Sequence, residues 1–168
     1  MITVGPHDGT PFILPTRGHG LVKLDGTATD DVMSAFEIIL EPGEGPGEHV
    51  HTREHELWYV LAGEFRFLLG DELVHQPTGG LAFGPRGVSH TFQNVGSTEG
   101  RLLVITARAG LESFFLTYDQ LATGPYDPEA LAAAAEAGGI EFTGPPLAAT
   151  SSGRPDGRPG EAGRSARR

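Results

Sequence analysis

Residues 43–63 read GEGPGEHVHTREHELWYVLAG, a run in which the chemistry-bearing side chains recur at the spacing of β-structure. His49 and His51 are separated by one residue, and because successive side chains of a strand point to opposite faces, both imidazoles project to the same side. Glu56 opens the following strand with Trp58 and Val60 on its own face, so it can enter the same cavity. Residues 79–94, GGLAFGPRGVSHTFQN, bring His90 from a strand whose same-side neighbours are Phe92 and Asn94. Three imidazole nitrogens and one carboxylate oxygen suit iron(II), manganese, nickel, cobalt or zinc, with positions left for water or substrate.

Outward from this core, the chain from Phe12 to about Ala109 reads as short strands punctuated by Gly, Pro and Asp, the pattern of an all-β sandwich or barrel. Ser34, Phe36, Ile38 and Leu40 alternate with Ala35, Glu37 and Ile39 up to the Glu41-Pro42-Gly43 break. Glu56–Ala62 and Glu64–Leu69 are two strands joined at Gly63, and a Gly70-Asp71 turn returns the chain through Glu72 to Gln76. Phe83, Ser89–Asn94 and Arg101–Ala109 complete the set. After Gly110 the composition changes. Leu111, Phe114, Phe115 and Tyr118 recur at helical spacing, and a second helix is signalled by Asp127 as N-cap, Pro128 at the first position, alanine-rich Glu129–Ala137 and the stop Gly138-Gly139. Residues 140–149 are expected to lie back over the β-domain, and residues 150–168, with almost nothing apolar to offset ordering entropy, to form a disordered basic tail.

The two quoted stretches carry a family resemblance. Gly43, His49, His51, Glu56 and Gly63 are similar in identity and spacing to the first motif of the cupins, and Gly79, Pro85, Gly87, His90 and Asn94 to the second, with 15 residues between them. The resemblance implies a double-stranded β-helix, the cupin jelly-roll barrel, over residues 1–110, with short C-terminal helices in an extension over 111–149 that packs on it. It also implies one divalent metal ion held by His49, His51, Glu56 and His90. The family pattern tolerates three or four residues before the glutamate, so His55 competes with Glu56; counting back six residues from Gly63 selects Glu56, and strand parity points His55 away. His7, His19 and His75 are isolated. Phe36, Trp58 and Phe92 are the candidates for a pocket wall around a planar ligand, within a wider aromatic set that includes Phe65, Phe67 and Phe83.

The Glu-Phe-x-Phe strand at 64–67, the paired Phe114 and Phe115, and the Gly-Pro-Pro-Leu run at 144–147 resemble the quercetin-dioxygenase-like group of single-domain cupins. That resemblance implies oxidative cleavage of a small chelating phenolic or flavonol-like molecule, with Glu56 both ligating and accepting the substrate proton. Two other classes stay open: a non-redox isomerase or polyketide cyclase using the metal as a Lewis acid, and a non-catalytic small-molecule-binding cupin.

Composition narrows the partners. The 168 residues contain no cysteine, which removes disulfide frameworks, thiolate metal sites and cysteine nucleophiles. Residues 1–150 hold seven basic against 20 acidic side chains, a net −13 that would repel phosphate backbones, whereas the tail is net +3. The longest large-apolar run, Leu57–Ala62, is far below the roughly 20 residues of a membrane span, and residues 1–20 lack the pattern of a secretion signal. The expectation is a soluble, cytoplasmic protein that binds a small molecule but neither nucleic acid nor membrane. The resemblance implies a homodimer, with the outward apolar face Leu57, Tyr59 and Leu61 either making the contact or packing against the helices after Gly110.

Overall fold

Alternating apolar residues, cut into short runs by turn residues, bury one face per strand, and two such faces make a core between sheets. A computed structural model describes residues 1–16, 18–125 and 127–147. Among these the elements in chain order are β1 (Thr10–Ile13), β2 (His19–Leu24), α1 (Gly26–Thr29), β3 (Met33–Leu40), β4 (Gly47–His51), β5 (His55–Ala62) and β6 (Glu64–Leu69). There follow β7 (Glu72–Pro77), β8 (Leu81–Gly84), β9 (His90–Asn94), β10 (Gly100–Ala107), α2 (Leu111–Leu121), α3 (Pro128–Gly138) and β11 (Ile140–Pro146). Two antiparallel sheets result, with strand orders β1-β2-β3-β10-β5-β8 and β11-β4-β9-β6-β7. The fold is the double-stranded β-helix with short C-terminal helices.

Between the sheets, Phe36, Trp58, Val60, Leu102 and Val104 from the first meet Phe65, Phe67 and Phe92 from the second, all buried. Each such side chain contributes about 1.5–3 kcal/mol relative to an exposed one. On β3 the inward face is the expected one, but Ala35 and Glu37 on the opposite face are buried as well. The Arg101 guanidinium bonds the Glu37 carboxylate from the neighbouring strand, Nε to Oε1 at 2.8 Å, and Lys23 approaches it at 4.0 Å, so the acid is covered by its own partners.

The motif residues that do not face the cavity build turns. Gly63 has φ +91°, and a Cβ there would stand 3.0 Å from the Gly100 Cα, so both the conformation and the strand approach favour glycine. Asn94 is fully buried; its amide donates to the Leu40 and Thr98 carbonyls at 2.9 Å each and its Oδ1 accepts the Gly96 N–H, tying the end of β9 to the end of β3.

Helix α2 packs its Leu111, Phe114 and Phe115 inward; the Phe115 ring stacks on Phe12 with centroids 4.5 Å apart and meets Phe36 edge-on. Helix α3 starts where Asp127 accepts the Glu129 and Ala130 N–H groups and ends at Gly139, φ +75°. Helices α2 and α3 pack on β1, on β11 and on each other, and Tyr59 and Leu61 remain 39% exposed, so of the two roles left open for the Leu57, Tyr59 and Leu61 face, packing against these helices is not the one seen.

A correction concerns residues 140–149. They do not simply lie over the barrel: residues 140–146 form β11 and extend the second sheet by pairing antiparallel with β4, Ile140 opposite His51 and Phe142 opposite His49. Register shifts around Gly144 and Pro146 accommodate residues that would break a regular ladder. The barrel therefore takes a strand from the extension, and a division at residue 110 separates chain segments rather than structural layers. The proposed tail at 150–168 lies outside the described residues.

Candidate metal centre

Parity delivers the four side chains to one point. His49 and His51 lie on the same face of β4, and His49 is the Cα partner of His90 on β9. Glu56 enters from β5 in the opposite sheet, its Oε2 3.0 Å from His51 Nε2 and 3.2 Å from His90 Nε2. One ligand atom from each of the four residues lies within 4.8 Å of the others, and all four residues are buried. The cluster can hold a metal ion.

The donors are oriented for that task. His49 Nδ1 lies 2.7 Å from the Gly47 carbonyl and His90 Nδ1 2.9 Å from the Val88 carbonyl. A carbonyl only accepts, so each Nδ1 carries a proton, and with a metal bound each Nε2 would be free to offer its lone pair. Burial, reinforced by His90 and His51, pushes the His49 pKa down to about 3, which keeps this imidazole neutral. Burial alone would lower His51 too, but the Glu56 carboxylate at its Nε2 and the Glu54 carboxylate near its Nδ1 outweigh it and raise the pKa to about 9. Burial opposes ionisation of Glu56, yet His51 and His90 hold its carboxyl well below the usual carboxylate range. An ionised carboxylate surrounded by imidazoles is a donor set matched to a divalent cation.

His55 points outward as parity demands: its Nδ1 accepts the Arg86 N–H at 3.1 Å and its ring stacks on the exposed Phe83. His7, His19 and His75 are exposed, His75 lying 3.6 Å from Glu64.

A cavity of about 210 Å³ opens from the cluster, with His49, His51 and Glu56 at its base. Of the three aromatic wall candidates, Phe92 lines it. Phe36 and Trp58 do not: Trp58 is sealed behind the site against His90 and Phe67, and Phe36 packs on Phe12 and Phe115. Both are too far inside the layer between sheets to reach the mouth. Beside Pro46 and Gly47 of the first motif, much of the wall comes from segments the motifs do not contain: Leu14 and Pro15 after β1, Leu111, Phe114 and Phe115 of α2, and Ile140 and Phe142 of β11. Alternation of Ile140 and Phe142 next to Gly139 was the available signal, obscured by the Gly-Pro-Pro run that follows.

A double-stranded β-helix with a buried three-histidine, one-glutamate cluster at the base of an apolar cavity defines a barrel equipped to bind metal. Residues 36–106, less than half of the chain, match the family described as the cupin domain. Protein SchB of Streptomyces halstedii is 38% identical over 89 residues, covering 52% of this chain and 64% of that protein. An oxalate-binding protein of Thermotoga maritima is 35% identical over 66 residues, covering 39% and 54%. The chain thus spans less than two thirds of the length of either curated relative. The crystal structure of a protein described as a predicted oxalate decarboxylase, also from Thermotoga maritima, superposes with a TM-score of 0.59 at 24% identity over 64% of this chain and 99% of that one, a likeness of fold. Among the described residues no helix is long and apolar enough to cross a membrane.

Proposed function

We propose that the chain is a metal-dependent enzyme of the quercetin-dioxygenase-like group acting on a small chelating phenolic molecule. The observation that carries this reading is the position of the His49, His51, Glu56 and His90 cluster at the base of a cavity walled by Phe92, Phe114, Phe115 and Phe142. In the proposal these four residues hold one divalent ion, which supplies a Lewis acid and, where the metal is redox-active, an electron-transfer centre for oxygen chemistry. The chain's own groups do the rest. The aromatic and aliphatic walls exclude water and grip a planar ring, and the volume is comparable to cavities of about 150 Å³ that accept a benzene ring. Glu56 lines the cavity, and in this reading its carboxylate takes the proton of a ligand hydroxyl brought against it. An oxalate-sized dianion, suggested by the name of one relative, would leave the aromatic walls without a partner.

The same reading carries a cytoplasmic homodimer formed through the Leu57, Tyr59 and Leu61 face; Leu61→Glu would then elute as a monomer in size-exclusion chromatography. The decisive experiment identifies the metal retained on purification and follows oxygen uptake with a catechol and a flavonol. Oxygen consumption with ring cleavage supports the dioxygenase. Conversion of a chelating phenol without oxygen would place the protein with the isomerases or cyclases, and tight binding without conversion with the non-catalytic cupins.

A further inference from the structure

Glu54 lies in the connection between β4 and β5 and is 1% exposed, as deeply buried as the cluster itself. An ionised carboxylate removed from water needs a donor or a cation. Among the described residues its one ion-pair partner is His51, Nδ1 to Oε2 at 3.7 Å. Each of these two atoms is buried and lacks a hydrogen bond. They are complementary: one is a ring nitrogen able to carry a proton, the other a pure acceptor, and a side-chain shift of about 1 Å brings them to hydrogen-bond distance.

The contrast with the other two imidazoles is informative. His49 and His90 each turn Nδ1 to the carbonyl two residues earlier, Gly47 and Val88. His51 turns its Nδ1 instead to a charged group, while its Nε2 stands 3.0 Å from Glu56 in the cluster. A carboxylate behind a ligating imidazole fixes the ring's tautomer and orientation and makes it a better donor, and loss of such a partner typically lowers metal affinity by about 10- to 100-fold.

We propose that Glu54 is a positioning residue of the metal centre: by accepting the His51 Nδ1 proton, it holds that ring with Nε2 presented to the metal. The inference rests on the proposed metal binding and deepens it. Glu54 itself is not a ligand, since its carboxylate faces the side of the His51 ring away from Glu56.

The test uses the full chain, stripped of metal and titrated with zinc(II) against a competing chelator, in wild type, Glu54→Gln and Glu54→Leu. Glutamine keeps an acceptor without the charge; leucine keeps the bulk without the acceptor. The expected order is wild type tightest, Glu54→Gln intermediate and Glu54→Leu weakest, with a total loss of about 10- to 100-fold. In parallel, nitrogen-15 NMR of the zinc-loaded protein reads the three Nδ1 protons. The His51 proton should resonate furthest downfield and move upfield in Glu54→Gln, while those of His49 and His90 stay in place. This second readout needs only wild type and the conservative variant, so it decides the matter even where Glu54→Leu does not fold. Zinc affinity unchanged within about threefold in Glu54→Leu, or an unmoved His51 signal in Glu54→Gln, overturns the role of Glu54 while leaving metal binding intact. A wild type that binds no zinc overturns the metal reading and this inference with it.

Discussion

His49 and His90 face each other as the Cα pair joining β4 to β9, with ring centroids 4.6 Å apart and each Nδ1 turned back to the carbonyl two residues earlier. A single cross-strand pair thus sets the separation of two donors, and Glu56 reaches it from the facing sheet. The site is held by the closure of the barrel rather than by a flexible loop, which is the preorganisation that a metal centre requires.

This geometry separates the histidines by experiment. His49→Ala or His90→Ala is expected to abolish metal retention while the circular dichroism spectrum stays that of the barrel, because the hydrophobic layer between the sheets is untouched. His55→Ala, whose ring lies outside, is expected to retain metal at the wild-type stoichiometry by elemental analysis. Metal loss in His55→Ala with retention in His90→Ala would reverse the assignment.

The barrel and its cluster were legible because both rest on period-two parity and turn glycines, which the sequence displays directly: His49, His51 and Glu56 sit within strands, and Gly63 marks a turn that tolerates little else. Parity fails where a strand ends. Glu54 lies in the bend between β4 and β5, and nothing in the spacing of residues 52–54 shows that its carboxylate folds inward. The cavity wall was hidden for another reason. Phe114 and Phe142 reach it from elements distant in sequence, placed by the packing of α2 on β1 and by the pairing of β11 with β4. Trp58 and Phe36 share a face with cluster residues or their neighbours, but facing inward along a strand does not distinguish the packed layer from the open end of the barrel.

Glu112 anchors the helix that carries part of this wall. Its carboxylate accepts the Gly26 N–H at 2.8 Å, the Ser34 hydroxyl at 2.6 Å and the Gly110 N–H at 2.9 Å. Burial would raise its pKa, but these donors hold it below the ordinary 4.5. A carboxylate with a depressed folded-state pKa adds stability that is fully present above the unfolded value and lost as pH falls through the folded one. Allowing for its partial exposure, Glu112→Ala is expected to cost about 2 kcal/mol at pH 7, or ~4–8 °C in Tm. The difference from wild type should shrink below pH 4.5, and thermal melts across that range check it. A difference independent of pH would remove the charge from the explanation.

Phe142 is opposite His49 in the β4–β11 ladder, its ring 6.0 Å from the imidazole and 53% exposed at the cavity. Truncation there costs the fold little, since the side chain already meets solvent. For a planar ligand it removes one stacking surface worth about 0.5–1.5 kcal/mol, so Phe142→Ala is expected to weaken binding by about 2- to 10-fold. The effect should fall on KM more than on kcat. Phe83→Ala, outside the barrel beside His55, is the control and should leave both unchanged.

Metal removal should show in stability as well as in stoichiometry. The metal-free cluster confines three imidazoles around one carboxylate, with His49 kept neutral by burial and a proton on His51 offset by Glu56 and by Glu54 behind the ring. A cation that binds the folded barrel and not the unfolded chain stabilises it by mass action, about 2.7 kcal/mol at a concentration 100-fold above Kd. For a chain of this size that corresponds to a rise of ~5–11 °C in Tm. Chelator-treated wild type should therefore melt lower and recover on adding zinc or manganese, whereas His49→Ala should melt at the same temperature with and without the ion. A wild-type Tm indifferent to added metal, measured beside an elemental analysis that finds none bound, would show that the four buried side chains form a polar network and not a metal centre.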